Sequence, residues 1–474
     1  MKLPRVWSGR QVAWGACIAA KATCIGTMAL LAACGRPTLD PEQLCQSAAY
    51  RLNDGHVLDI APSEGKDLRW RLSDGRSGRL AADKQWTSTL GWTGQPDGVT
   101  VELPACRAGD HGIRFTEPGR PAVHGVRLAL KSVYSTFSSD GTQLFGRLTL
   151  PEGTEAVPMI VETHGSERDS ALDYDSDQRM LPALGIGVFV YDKRGTGRSG
   201  GRYTQNFEAL ANDAVAALGE ARRLAGGRAA RVGLQGGSQG GWVAPLAATK
   251  AQVDFVIVGY GLAGSVADEN RDQTVLELAR KGYAPAELEA AAEVADATNE
   301  VAASHFRTGF EHLERVRAKY GSRPWFGELA GQYTGRMLKY PSWVIRLGGP
   351  ILDEGTPINY DAMTVLRRVK VPMLWVLAGD DTQAPSATTQ TRLRQLAAAG
   401  YPVTALVFPG TDHGIFEFAV AADGSRTETR NSEGYLRTTV DFALRGKLDG
   451  TYGKATFIAT SPDTRGTTDA GNVD

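Results

Sequence analysis

From about residue 140 onward, short apolar runs recur along the chain: "LFGRLTLP", "PMIVETHG", "GVFVYDKRG", "RVGLQGG", "VDFVIVGYG", "PMLWVLAGDD" and "VTALVFPG". Each ends in glycine, proline or polar residues, and most are separated by segments of helical period. Phe207, Leu210, Ala211, Ala214, Val215, Leu218, Ala221 and Ala225 form one such helical stripe. Apolar runs without polar alternation belong to strands buried on both faces, so the pattern predicts a mostly parallel central sheet flanked by helices. Sites in such sheets form where the carboxyl ends of the strands meet their loops.

Residues 45–130 keep a different rhythm. "HVLDI", "LRWRL", "VTVEL" and "GIRF" alternate apolar with polar positions and are separated by turn signals at Asn53-Asp54-Gly55, Asp74-Gly75 and Asp97-Gly98. They predict a small N-terminal β domain. It holds no catalytic constellation, which leaves support, orientation at a membrane, or a share in the rim of a site as its role. Between "VDFVIVGYG" and "PMLWVLAGDD" about 100 residues contribute no core strand, too many for a simple connection. Their helix-forming composition predicts a helical cap over residues 262–360. Trp325, Phe326, Tyr333, Tyr340 and Trp343 are candidates to line an apolar acyl or alcohol pocket beneath it, the alternative being that each packs in the cap's own core. Polar residues 451–474 are expected to form a disordered tail.

Composition narrows the function classes. The chain has 474 residues, 42% of them hydrophobic and 22% charged, with a net charge of -1, so no basic field draws it to nucleic acid. At the N-terminus Lys2, Arg5, Arg10 and Lys21 precede "CIGTMALLAAC", an apolar run too short to span a bilayer. That is the layout of a secretory signal, expected over residues 1–33 and excluded from the fold. Leu31-Ala32-Ala33-Cys34 resembles the lipobox of bacterial lipoproteins. The resemblance implies that Cys34 becomes a lipid-bearing N-terminus on a tether of residues 34–44; an ordinary cleaved signal with a chance cysteine is the alternative. Gly35 in place of aspartate implies, by resemblance to sorting in enteric bacteria, the outer membrane facing the periplasm.

With Cys17 and Cys24 lost with the signal and Cys34 lipidated, Cys45 and Cys106 remain in an oxidising compartment. A disulfide between them is expected, against the alternative of two unrelated buried cysteines. No C-x-x-C and no Cys/His cluster of zinc spacing occurs, so no metal is expected.

"GLQGGSQGGWVAPLAA" holds one serine among glycines. Gly236-Gly237-Ser238-Gln239-Gly240 matches G-x-S-x-G between a strand ending near Leu234 and a helix beginning near Gln239. In that context a serine sits at positive φ on a strained elbow, its neighbours lack Cβ so that strand and helix can approach, and the helix N-terminus faces the same point.

On these residues the chain resembles the α/β-hydrolase superfamily over roughly 130–450. The resemblance implies a Ser-His-Asp triad in the chain order nucleophile, acid, histidine. Of seven histidines only His413 follows the last strand, in "PGTDHGIFE". The acid comes from Asp380 or Asp381; Asp381 is preferred because in resembling hydrolases the acid stands four positions before a proline, here Pro385. "THGSERDS" resembles the His-Gly loop, which assigns the oxyanion donors to the backbone N–H groups of Ser166 and Gln239 and leaves His164 to hold the turn. "YDKRGTGRSGG" resembles the D-x-R-G-x-G-x-S loop of esterases and proline iminopeptidases, with Asp192 and Arg194 read as an ion pair. Gly195–Gly200 also fits G-x-G-x-x-G, but these glycines open no helix, so a nucleotide site is set aside. His305 and His312, seven apart on an expected helix, lack a third ligand.

The expected function is that of a serine hydrolase cleaving carboxylic esters through an acyl-enzyme, without cofactor, on a small-molecule substrate. Aminopeptidase, acyl-peptidase or thioesterase activity is the alternative on the same fold. A catalytically silent, lipid-tethered binding protein is the alternative of another class.

Overall fold

The computed structural model describes residues 41–63, 65–82, 86–106 and 112–460. The expected signal peptide, Cys34 and residues 461–474 of the expected tail lie outside the described residues.

Eight strands, β1 (Ala48–Leu52), β2 (Val57–Pro62), β3 (Leu68–Leu72), β4 (Ser77–Leu80), β5 (Thr87–Leu90), β6 (Pro96–Glu102), β7 (Gly112–Thr116) and β8 (Val123–Arg127), form an antiparallel meander that closes into a barrel by pairing β1 with β8. Alternation is the cause: in β3 Leu68, Trp70 and Leu72 point inward, and the two arginines between them do not. Trp70 packs edge-on against Phe115 at 5.0 Å and donates its indole N–H to Ser88 Oγ at 2.8 Å, so its polar atom is satisfied inside. Cys45 and Cys106 form a disulfide with Cα atoms 5.9 Å apart across a separation of 61 residues. Closing a loop of that length removes about 4 kcal/mol of unfolded-chain entropy.

The second unit is a nine-stranded sheet. Its strands are β9 (Lys131–Ser139), β10 (Thr142–Leu150), β11 (Val157–Thr163), β12 (Gly187–Tyr191), β13 (Ala229–Gly237), β14 (Phe255–Gly259), β15 (Met373–Ala378), β16 (Val403–Phe408) and, after a separate hairpin of β17 (Phe416–Val420) and β18 (Arg426–Asn431), β19 (Thr456–Ala459). The spatial order is β9-β10-β12-β11-β13-β14-β15-β16-β19, with one transposition of β11 and β12. Pairing is parallel from β12 through β16 and antiparallel at both margins. β12, β14, β15 and β16 are buried at every position, which explains their continuous apolar sequences. Phe255 and Trp375 are fully buried; truncating either to alanine is expected to cost about 3–5 kcal/mol.

Residues 451–460 are a correction: Thr456–Ala459 is not tail but adds an antiparallel strand to the edge of the sheet beside β16. The hairpin β17–β18 was likewise not anticipated. It docks on the barrel, where the Trp92 N–H donates to the Glu428 carbonyl at 3.0 Å and a Cβ on Gly75 would lie 2.4 Å from the Asn431 carbonyl oxygen. On its other flank the barrel is stapled to the helix Asp177–Ala183 by Arg179, which binds Asp59 at 2.5 and 3.1 Å. Between β14 and β15 lies the cap, built on helices Val266–Arg280, Pro285–Ala303, Phe310–Tyr320, Thr334–Leu338 and Ser342–Leu352. Among the described residues, no helix is long and apolar enough to cross a membrane.

Candidate active site

Ser238 stands between β13 and the helix Gly240–Ala248 with φ at +52°. Side-chain-bearing residues rarely adopt that conformation, and its persistence shows that the surroundings over-determine it. The flanking glycines explain how. A Cβ on Gly236 would meet the Gly240 carbonyl oxygen at 2.2 Å, and one on Gly240 would meet the Thr163 carbonyl oxygen at 2.4 Å. Strand and helix therefore approach only because both residues lack a side chain. The Ser238 N–H is held by the Gly259 carbonyl at 3.1 Å.

His413 leaves the end of β16 on a short turn fixed by Asp412. That carboxylate accepts from the His413 and Thr382 backbone N–H groups, from the Thr382 hydroxyl and from Arg426 at 2.9 Å. Burial raises its pKa, Arg426 and these hydrogen bonds lower it more, and the net is downward. His413 Nδ1 lies 2.9 Å from Asp381 Oδ2, while Asp381 Oδ1 accepts from the Gln383 and Ala384 N–H groups at 2.9 and 2.7 Å. A carboxylate held this way accepts the hydrogen bond of Nδ1–H, which keeps the proton on Nδ1 and leaves Nε2 as the basic nitrogen. Burial lowers the His413 pKa, but the adjacent Asp381 charge and hydrogen bond outweigh it, and the net is upward. Asp380 faces away, exposed, accepting the Gly410 N–H at 2.8 Å.

One cleft is lined by Ser166, Gln205, Ser238, Gln239, Glu269, Gln332, Tyr333, Thr356, Gln383 and His413, with Phe207, Trp242 and Val266 on its apolar side. Ser238, His413 and, behind it, Asp381 are thus brought together. Ser166 and Gln239 border the same space, and a Cβ on Gly165 would lie 3.6 Å from that of Ser238. Among the described residues, neither the Ser166 nor the Gln239 N–H donates a hydrogen bond within the chain.

The aromatic lining expected for the cap is mostly absent. Only Tyr333 borders the cleft; Trp325 is buried in the cap, Phe326 and Tyr340 pack against that core, and Trp343 is 66% exposed on the outer surface. The one that does line the cleft, Tyr333, is held by Asn270. Asn270 is buried, its carboxamide oxygen accepts from the Tyr333 and Thr334 N–H groups at 2.9 and 3.2 Å, and its nitrogen donates to Asn299 and Thr334. These bonds hold the segment carrying Gln332 and Tyr333 at the cleft.

Two further expectations change. Arg194 does not pair with Asp192 but with buried Asp213 of the helix Phe207–Ala225, at 2.7 and 2.5 Å. Asp192 instead accepts from the Ser170 hydroxyl and the Leu172 and Arg198 N–H groups, organising the loops on either side of it. His305 and His312 do not share a helix; the first pairs with Asp353 and the second with Glu300. His164 reaches the Tyr191 carbonyl at 2.6 Å, tying its turn to β12.

Sequence reasoning missed Tyr260 and Glu269. Tyr260 has φ at +41°, its ring meets His413 edge-on at 4.9 Å, and its hydroxyl occupies the place a Cβ on Gly237 would need, at 2.3 Å. The signal for it was the bulky residue wedged in "VGYG" at the end of β14. Glu269 projects from the cap helix Val266–Arg280 into the cleft. Burial pushes its pKa up to about 7, His413 pulls it down and Asp381 adds to the rise.

The transposed strand order and the positive-φ serine at the strand-to-helix turn define the α/β-hydrolase fold, with a helical cap and an N-terminal β-barrel. Residues 155–285 match the family described as serine aminopeptidase, S33, a span that includes Ser238 and stops short of Asp381 and His413. No curated protein matches. Among solved structures the chain is similar to the α/β hydrolase GrgF from Penicillium sp. sh18, at 17% identity over 60% of this chain and 92% of that one, with a TM-score of 0.39. It is also similar to the acylaminoacyl peptidase of Pyrococcus horikoshii, at 15% identity over 86% of this chain and 57% of that one, TM-score 0.43. A third is Est1E from Butyrivibrio proteoclasticus with ferulic acid bound, at 14% identity over 66% and 97%, TM-score 0.37.

Proposed function

We infer that this hydrolase cleaves carboxylic esters through a Ser238–His413–Asp381 triad and an acyl-enzyme intermediate. The observation that carries the reading is the 2.9 Å contact of His413 Nδ1 with Asp381, in the wall of the cleft that also holds Ser238. Ser238 Oγ attacks the acyl carbonyl as His413 Nε2 takes its proton; the Ser166 and Gln239 N–H groups receive the oxyanion. His413 then protonates the leaving group, and water releases the acyl chain by the same steps in reverse. Each oxyanion donor is expected to lower the barrier by about 3 kcal/mol. The chemistry calls for no cofactor.

A second reading, hydrolysis of amides or esters whose acyl part bears a free amine, is favoured by Glu269. Its carboxyl group has no hydrogen-bond or ion-pair partner among the described residues and faces a cleft lined by four glutamines, Gln205, Gln239, Gln332 and Gln383. An ammonium group would supply the missing counter-charge. Comparing p-nitrophenyl acyl esters of increasing chain length with aminoacyl p-nitroanilides separates the two readings: the ester reading predicts turnover of short neutral esters at least as fast as of the anilides. Turnover confined to free-amine substrates would favour the second.

Cleaved export and lipidation at Cys34, with residence at the outer membrane facing the periplasm, complete the proposal. The support is the lipobox-like Leu31-Ala32-Ala33-Cys34 and a disulfide between the two cysteines that would remain. Metabolic labelling with a palmitate analogue, lost on Cys34→Ser, tests it. A silent binding protein on this scaffold would not react with a fluorophosphonate.

A further inference from the structure

Lys193 follows β12 in the loop "DKRGTGRSG", and it is 4% exposed. Its Nζ donates to the Gly165 carbonyl oxygen at 2.5 Å, its one acceptor among the described residues, and lies 4.9 Å from the ring centroid of Tyr203. Gly165 O belongs to the same peptide group as the Ser166 N–H. A trans peptide is planar, with C=O and N–H pointing to opposite sides, so a cation on the oxygen fixes where the N–H points. It also draws electron density toward the carbonyl and leaves the N–H a stronger donor, at a site where water no longer screens the charge. The next peptide is held too: the Tyr203 hydroxyl donates to the Ser166 carbonyl at 2.6 Å, and the Arg168 guanidinium stacks over the Tyr203 ring at 3.8 Å.

We propose that Lys193 is a positioning residue for the oxyanion hole, aiming and polarising the Gly165–Ser166 peptide through its ammonium group. The proposal rests on the serine-hydrolase reading above and adds to it a residue that touches no substrate. A purely structural role explains the arrangement poorly. An apolar chain of similar length would fill the space without the desolvation that a buried ammonium incurs, for which one hydrogen bond to a backbone carbonyl and the face of the Tyr203 ring are a partial return.

The arrangement makes the oxyanion hole titratable. Burial lowers the Lys193 pKa to about 8, with Glu167 opposing and Arg168 reinforcing the shift. Those two residues, on the loop after Gly165, are the charged groups facing it, and the Tyr203 phenol, pushed up to about 12 by burial, stays a donor throughout. Loss of the Lys193 proton as pH rises through about 8 removes the cation from the peptide, so kcat develops an alkaline limb there while KM does not.

The test uses the full chain, p-nitrophenyl acetate and a fluorophosphonate probe on wild type, K193M and K193R. Folded K193M is expected to lose about 10- to 100-fold in kcat, less than removal of a direct donor, with KM within about twofold and no alkaline limb near pH 8. K193R keeps a cation at every pH, so it is expected to retain more kcat than K193M and to carry the limb to higher pH. Unchanged kcat in K193M, or the same limb in all three proteins, overturns the proposal. If K193M does not fold, the wild-type profile decides: a fall in kcat through about pH 8 supports it, and a plateau reaching the ordinary lysine range overturns it. A wild-type chain inert to the probe contradicts the serine-hydrolase reading and this proposal together; equal probe reactivity of wild type and K193M contradicts only the role of Lys193.

Discussion

The two walls of the cleft are built on opposite principles. The sheet wall carries Ser238 and His413 on turns where backbone meets backbone: glycines at 236 and 240 sit where any Cβ would clash, Ser238 and Tyr260 are held at positive φ, and Asp381 and Asp412 each have one carboxylate oxygen held by backbone amides. The cap wall is held by side chains, chiefly the Asn270 carboxamide beneath Tyr333 and the link from Gln205 to Glu354 and Thr356. Geometry fixed by the backbone suits chemistry, which tolerates little displacement. Geometry fixed by side chains can change residue by residue and suits selection among substrates.

That contrast fixes the order of expected effects. Ser238→Ala is expected to lower kcat/KM by about 10⁴- to 10⁶-fold with the fold intact, measured as ester hydrolysis alongside a thermal melt. Asp381→Asn, which leaves His413 in the wrong tautomer, should lower kcat by about 10⁴-fold, whereas Asp380→Asn should leave it within about twofold; equal losses would mean that the acid is misassigned. Gly240→Ala would ordinarily stabilise a helix by about 1 kcal/mol. Here the added methyl meets the Thr163 carbonyl, so a loss of about 1–3 kcal/mol in chemical denaturation is expected together with impaired turnover.

On the cap wall, Glu269→Gln should raise KM for free-amine substrates about tenfold and leave neutral esters nearly unchanged, roughly the effect of one exposed-to-buried ion pair. The pH dependence sharpens the contrast. With neutral esters, kcat/KM should rise with pH through a value above the ordinary histidine pKa of 6.5, because His413 must be unprotonated to act and its pKa is raised. With free-amine substrates KM should fall further as Glu269 ionises near pH 7, and that component should vanish in Glu269→Gln.

The same division governs what could be read from sequence. The sheet wall was legible because local motifs encode it: the G-x-S-x-G turn after β13 needs its glycines in fixed positions, and His413 follows β16, an apolar run buried at every position. Asp381 could be separated from Asp380 only by a resemblance, since both carboxylates end the same strand and only the turn decides which points inward. Arg194 was matched to the wrong acid because its partner, Asp213, lies on the next helix, a contact made by tertiary packing. The hairpin β17–β18 escaped notice because none of its residues is buried except Asn431, so it carries no strong apolar alternation. The cap's aromatics were assigned by residue type, but which of them borders the cleft depends on tertiary contacts, such as the Asn270 hydrogen bonds that hold the Tyr333 backbone, which no local pattern reveals.

The central claim is that the hydroxyl of Ser238 is activated by His413. Treating the full chain with a fluorophosphonate and mapping the adduct by peptide mass spectrometry tests this without any choice of substrate. One phosphonyl group per chain on Ser238, greatly slowed in His413→Ala, is the expected result. No adduct, an adduct on another serine, or equal labelling after removal of the imidazole would contradict it.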